Sequence, residues 1–67
     1  MVKLTATYQG QTFKRSTDRT YTHVLIVKDE GEAWEAKSWA GSLTLAQKRV
    51  NEFTRAGREV KIIPVNS

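Results

Sequence analysis

Side chains that could bind a polyanion are concentrated between positions 13 and 23. This stretch supplies cations, hydroxyl groups and rings in close succession: Lys14, Arg15 and Arg19; Ser16, Thr17 and Thr20; and Phe13, Tyr21 and His23. Cations and short hydroxyl donors are the groups that contact phosphates, and aromatic rings stack on unpaired bases. The same composition also suits an exposed edge strand, which cations keep soluble and unpaired. The segment is therefore compatible with a nucleic-acid contact and with an ordinary solvated hairpin.

The residues needed for catalysis or for a metal centre are sparse. His23 is the only histidine, and cysteine is absent. Ser16 and Asp18 lie near His23 in sequence, but strand geometry does not align the three as nucleophile, base and orienting acid. The acidic run at positions 29–35 does not have the spacing of a calcium-binding loop, and the four glycines are too scattered for a phosphate loop. We therefore expect no enzyme, no cofactor and no metal site.

Length and charge favour one small basic domain over residues 1–67. The net charge of +4 is uneven: residues 1–28 carry five cations and one acid, residues 29–35 four acids, and residues 36–67 six cations and two acids. A surface of this kind favours polyanions or acidic protein partners. The longest apolar run, Val24 to Val27, is too short to span a membrane, and no secretion signal is recognisable, so we expect a cytoplasmic protein.

Apolar periodicity predicts five strands and one helix. Alternation or β-branched composition indicates strands at positions 2–9, 11–16, 20–28, 33–39 and 59–65. A helix is predicted to begin with a capping box at Thr44 and to end at a left-handed glycine cap, Gly57. Its expected apolar stripe is Leu43, Ala46, Val50 and Phe53. Its opposite face has mixed charge, including Arg49, and is expected to be solvated. Pro64 cannot donate to a ladder, so the last strand is expected at an edge.

The element order β-β-β-β-α-β predicts an α+β fold, in which one helix packs on one face of a small antiparallel sheet. Because Val24 to Val27 place apolar side chains on both faces of the central strand, the face without the helix also needs a cover. Sheet curling, a dimer partner and a bound target are the three candidates. The partner-binding residues expected on this open face are Tyr21, His23 and Trp39. The expected rim or nucleic-acid contacts are Lys14, Arg15 and Arg19.

The two tryptophans are expected on opposite faces of their strand. Trp34 has the parity of Ala36 and Ser38, whereas Trp39 has the other parity unless a bulge intervenes. One tryptophan then belongs to the core, and the other is an aromatic anchor of the kind that carries binding energy at interfaces.

Two segments, TFKRSTDRTYTHVLIV (12–27) and SLTLAQKRVNEFTRAG (42–57), resemble small accessory proteins of bacteriophages and prophages. Proteins of this class tend to be short, cysteine-free and non-catalytic, and some inhibit host defence, as anti-CRISPR proteins do. The resemblance implies stoichiometric occlusion of a protein or nucleoprotein complex in the host cytoplasm. Many such inhibitors are acidic mimics of DNA, whereas this chain is basic. Two other functions stay open: a nucleic-acid-binding domain that uses the basic hairpin, and a homodimeric structural protein.

Overall fold

The computed structural model describes residues 1–66 and contains five strands and one helix. In chain order the elements are β1 (Val2–Tyr8), β2 (Gln11–Thr17), β3 (His23–Asp29), β4 (Glu35–Ala40), α1 (Leu43–Phe53) and β5 (Arg58–Pro64). The strands form two antiparallel sheets, the β1–β2 hairpin and a three-stranded sheet of order β4-β3-β5. The predicted α+β class and element order are confirmed, with the strands divided between two sheets. No helix of the described residues is long and apolar enough to cross a membrane.

The β1–β2 hairpin turns tightly because both of its loop residues adopt positive φ. Gln9 has a φ of 48° and Gly10 a φ of 78°, the sign pattern of a type I′ turn, whose twist matches that of the flanking strands. The register pairs Ala6 with Phe13, and alternation adds Leu4 to the same face. All three side chains are buried, so this face of the hairpin is its core face.

β3 is the centre of the three-stranded sheet and is buried on both faces, with Val24 to Val27 at most 1% exposed. α1 lies on the face that carries Leu25, because Arg49 of α1 donates to Ser38 Oγ (2.8 Å) and Ser38 pairs with Leu25. Arg49 also donates to the Trp39 carbonyl (3.0 Å) and is half-buried. The expectation that Arg49 lies on a solvated helix face is therefore wrong.

The β1–β2 hairpin covers the other face of the three-stranded sheet. One buried cluster, which we term the hairpin–sheet core, joins the two: Ala6, Phe13, Val24, Ile26 and Ile63. Two backbone hydrogen bonds of 3.2 and 2.6 Å between Thr5 and Asn66 connect β1 to the segment after β5. Neither a dimer partner nor a bound target is needed to bury the central apolar residues, since the chain folds over them itself. The expectation of an open apolar face over the centre of β3 is wrong.

The helix begins two residues earlier than the sequence predicts. Ser42 is the N-cap, and its Oγ accepts a hydrogen bond from the Leu45 backbone N–H at 3.1 Å. The predicted capping box at Thr44 is wrong, because Thr44 already lies inside the helix and Ser42 has the extended backbone of a cap. In the predicted apolar stripe, Ala46 is fully buried, whereas Leu43 is 46% exposed.

The helix also ends before the predicted glycine cap. Thr54 is the C-cap, and Gly57, which has the expected positive φ (78°), lies in the turn that leads into β5. The Arg58 guanidinium donates to the Phe53 carbonyl (3.1 Å) and so satisfies one of the carbonyls at the helix end. β5 pairs only with β3 in its sheet, so the edge position expected of the strand that contains Pro64 is confirmed.

A β-bulge in β4 brings the two tryptophans to the same side of the sheet. The pairing register of β3 with β4 shifts between Leu25 and Ile26, which leaves Lys37 as an extra residue. Trp34 and Trp39 are both half-buried and pack against the hairpin–sheet core. The expectation of opposite faces is wrong, because strand parity assumes an unbroken register.

Candidate functional site

A cleft of about 280 Å³ lies on the β1–β2 hairpin, and the charged side chains that line it are all cationic. Its lining residues, which we term the basic cleft, are Lys3, Leu4, Thr5, Lys14, Arg15 and Ser16. Lys3 pairs with Ser16 and Thr5 with Lys14 across the hairpin. Cross-strand neighbours of this kind have Cβ atoms about 5 Å apart. Two ammonium groups and two hydroxyls are therefore presented together, on the hairpin face that points away from the hairpin–sheet core.

Arg15 links the basic cleft to an aromatic ring. Its guanidinium carbon lies 5.3 Å from the centroid of Tyr21, a cation–π distance. Arg15 is exposed, whereas Tyr21 is half-buried. A guanidinium held against a ring keeps the N–H groups at its edge free to bind a phosphate. Two residues predicted for different roles, a rim cation and a partner-binding ring, are thus in contact.

Arg19 does not line the basic cleft. It is exposed in the bend after β2, where its backbone N–H donates to Thr17 Oγ1 at 3.1 Å. The adjacent Asp18 carboxylate lies 3.6 Å from the N-terminal ammonium group. Of the three predicted rim cations, Lys14 and Arg15 both line the basic cleft, with side chains that alternate to opposite faces of β2, and Arg19 lies outside it.

Tyr21, His23 and Trp39 do not share one face of the sheet. Trp39 pairs with Val24 and lies on the hairpin side. His23 is one residue earlier in β3, so alternation places it on the α1 side, with Nδ1 2.8 Å from Thr22 Oγ1. Tyr21 precedes β3 and contacts the hairpin through its cation–π pair. The expected partner-binding patch is therefore divided among three places.

Arg55 and Arg58, which follow α1, partly neutralise the acidic run at positions 29–35 through Asp29. Asp29 accepts hydrogen bonds from Arg58 Nε (2.6 Å) and Nη2 (3.1 Å), and from Arg55 Nη2 (3.3 Å). The bond from Arg58 is the main cause that holds the pKa of Asp29 below its usual range, while desolvation acts in the opposite direction. Asp29 pairs with Arg58 across the strands, so this ion pair fastens the end of β3 to the start of β5. Across the described chain, no group of three or more His, Cys, Asp or Glu side chains could hold a metal ion.

A second groove, of about 430 Å³, opens at one end of the three-stranded sheet. Its lining residues, which we term the aromatic groove, are Tyr8, Gln9, Lys28, Trp34, Glu59, Val60 and Lys61. The Tyr8 and Trp34 rings meet edge to face, with centroids 5.2 Å apart and planes at 86°. Lys61 Nζ lies 5.2 Å from the centroid of Tyr8. The groove combines two rings, two ammonium groups and one carboxylate.

The sequence did not identify the aromatic groove. Tyr8 was only part of the strand predicted at positions 2–9, and Trp34 was one of two candidate anchors. Lys28 and Trp34 flank one turn, but Tyr8 and Lys61 come from opposite ends of the chain. Pairing of β5 with β3 brings in Lys61, and packing of the hairpin on the sheet brings in Tyr8; no local pattern records either.

Comparison with known proteins identifies no relative. No family model matches the chain, and no curated protein or solved structure is significantly similar to it. The resemblance to bacteriophage accessory proteins therefore stays a prediction. The function has to be inferred from the basic cleft and the aromatic groove themselves.

Proposed function

We propose that this chain is a non-enzymatic nucleic-acid-binding protein that contacts phosphates through the basic cleft. The observation that carries the proposal is the grouping of Lys3, Lys14 and Arg15 on one hairpin, with Thr5 and Ser16 as neutral donors. No acid is among the residues that line the cleft. Lysine, arginine and hydroxyl side chains supply most protein contacts to phosphate oxygens, and a surface of one sign attracts a polyanion from a distance.

The arrangement of the cations favours a chain of phosphates over a single small anion. Lys3 and Lys14 lie on neighbouring strands but not opposite one another, since each faces a hydroxyl residue. Arg15, which pairs with Leu4 on the other face of the hairpin, extends the cations around its edge to Tyr21. The charges are thus spread over the cleft rather than converging on one point, and Lys3 and Lys14 are both exposed.

Stoichiometric occlusion of a host protein, the function implied by the phage resemblance, stays a prediction with a weaker premise. Besides small size and the absence of catalytic groups, it relied on an uncovered apolar sheet face, and the hairpin–sheet core fills the centre of that face. The homodimeric structural protein relied on the same face. An acidic protein surface would be attracted to the basic cleft as well. A test must therefore separate binding by the cations of the cleft from attraction by the net charge of the protein.

Two charge-matched double variants make this separation. Lys3→Gln with Lys14→Gln removes two cations from the cleft. Lys37→Gln with Lys48→Gln removes two from elsewhere: Lys37 is paired with Glu35 (3.4 Å), and Lys48 is exposed on α1. The measurement is fluorescence anisotropy of a labelled 20-nucleotide DNA, single-stranded and duplex, at 0.1 M salt.

We expect the cleft variant to bind about 25-fold more weakly to single-stranded DNA and about 60-fold more weakly to duplex DNA. These values follow from losing two phosphate contacts, each of which releases about 0.7 or 0.9 counterions. The control variant should bind within about threefold of the unchanged protein. Equal losses in the two variants, or no binding by the unchanged protein at 0.05 M salt, would contradict the proposal.

A further inference from the structure

We propose that the aromatic groove binds an unpaired nucleobase, so that the ligand of this protein is a single strand. This inference rests on the proposed function and specifies its substrate class. It concerns residues separate from the basic cleft, and it is therefore open to a test of its own.

The aromatic groove is the part of the hairpin-side face that the hairpin does not cover. Lys28 pairs with Glu59, and Lys61 pairs with Ile26, a residue of the hairpin–sheet core. Alternation therefore places Lys28, Glu59 and Lys61 on the same face as Ile26, toward the end of β3. Tyr8, the last residue of β1, and Trp34 border this end of the face. The hairpin ends there, and a groove remains.

The rings of the groove are held in place before any ligand arrives. The Trp34 indole Nε1 donates to Gln9 Oε1 at 3.4 Å, and the Gln11 side-chain amide donates to the Trp34 carbonyl. The edge-to-face contact with Tyr8 fixes the angle between the two rings. A restrained ring loses little conformational entropy when a ligand stacks on it, so it is a better platform than a mobile one.

The charges around the rings match a nucleotide. Stacking on aromatic side chains is how proteins hold unpaired bases, and nearby cations follow the backbone phosphates. Lys28 and Lys61 supply two such cations at the groove. Glu59 would repel a phosphate, but a carboxylate accepts a hydrogen bond from the exocyclic amino group of a base such as cytosine. In a duplex the bases are stacked on one another and their faces are not accessible to a ring in the groove.

The distance between the two sites suits one strand of nucleic acid. Lys3 and Tyr8 are five residues apart on β1, about 17 Å along the strand, and alternation puts their side chains on opposite faces of the hairpin, so a ligand that contacts both passes around its edge. A stacked strand that advances about 3.4 Å per nucleotide crosses that distance in about five nucleotides. About five nucleotides is therefore the minimum span between the two sites, and the path around the hairpin edge adds to it.

The test uses tryptophan fluorescence as a local probe. In a Trp39→Phe background Trp34 is the single tryptophan, and its emission is followed while a 12-nucleotide mixed-sequence DNA is added, alone or annealed to its complement. We expect the single strand, but not the duplex, to quench Trp34. Removing one stacking platform should weaken single-strand binding by about 5- to 150-fold, so Trp34→Ala should do so while changing duplex binding less than twofold.

Trp34 also packs against the hairpin–sheet core, so its removal affects the fold as well as the groove. A variant of an exposed groove residue therefore supplies a second measurement. Lys61→Gln changes an exposed residue and should weaken single-strand binding more than Lys48→Gln, its control on α1. The aromatic groove is not a base site if the single strand binds without quenching Trp34 and if Lys61→Gln and Lys48→Gln weaken single-strand binding equally. The proposed function stands in that case. If neither DNA binds, the proposed function and this inference fail together.

Discussion

Removing the Phe13 ring should release the hairpin from the three-stranded sheet. Phe13 is 7% exposed and packs with Val24, Ile26 and Ile63 in the hairpin–sheet core. A Phe→Ala change in a core costs about 3–5 kcal/mol. A domain of 67 residues has a free energy of unfolding of about 3–10 kcal/mol in total, so Phe13→Ala removes about a third of it or more. The melting temperature should fall by about 12 °C at least.

The assay is urea denaturation followed by tryptophan fluorescence. Both tryptophans pack against the hairpin–sheet core, so their emission reports its opening directly. Thr12→Ala is the control, because Thr12 is exposed on the other face of β2, and it should cost about 1 kcal/mol or less. Phe13→Leu retains most of the volume and should cost less than about 1.5 kcal/mol. If Phe13→Ala lies within 1 kcal/mol of Thr12→Ala, the hairpin does not cover the sheet as described.

Two further predictions concern the helix cap and the acidic segment. Ser42→Ala should destabilise the protein by about 1 kcal/mol in thermal denaturation, whereas Thr44→Ala should cost less. A larger loss of stability from Thr44→Ala would show that Thr44 is the N-cap. Asp29→Asn should destabilise at pH 7, because it removes the charge that Arg58 binds. The pKa of Asp29 is lowered in the folded state, so this stabilisation is present above about pH 4 and is lost as the pH falls through the folded pKa. Urea denaturation at pH 7, 4 and 2 should show the variant and the unchanged protein converging; a constant difference would contradict the ion pair.

The elements that the sequence predicts correctly are those that leave a local pattern. Strict alternation identified β1, and β-branched composition identified β3, although its start is three residues later than predicted. The helix was evident from its apolar spacing, but its cap was not, because Ser42 and Thr44 are both residue types favoured at an N-cap. The bulge at Lys37 leaves no such pattern, and it alone reversed the predicted sides of the tryptophans.

The candidate sites were less predictable than the fold, because the basic cleft depends on the pairing of β1 with β2 and the aromatic groove on how the two sheets meet. The sequence placed Lys14 and Arg15 on a strand of a hairpin, and the structure adds Lys3 from the paired strand to the same cleft. An apolar sheet face needs a cover, but its sequence does not tell whether the cover is another molecule or the chain itself. Here the chain supplies it through Phe13, which the sequence placed on a strand without assigning it a core contact.

The dependence of affinity on salt tests the proposed phosphate contacts most directly. The logarithm of the association constant is measured against the logarithm of the salt concentration, with single-stranded DNA, for three proteins: unchanged, Lys3→Gln with Lys14→Gln, and Lys37→Gln with Lys48→Gln. Each phosphate contact contributes about 0.7 to the slope on a single strand. If Lys3 and Lys14 bind phosphates, the slope of the cleft variant is less steep by about 1.4, and that of the control is unchanged. Three equal slopes would contradict binding at the basic cleft.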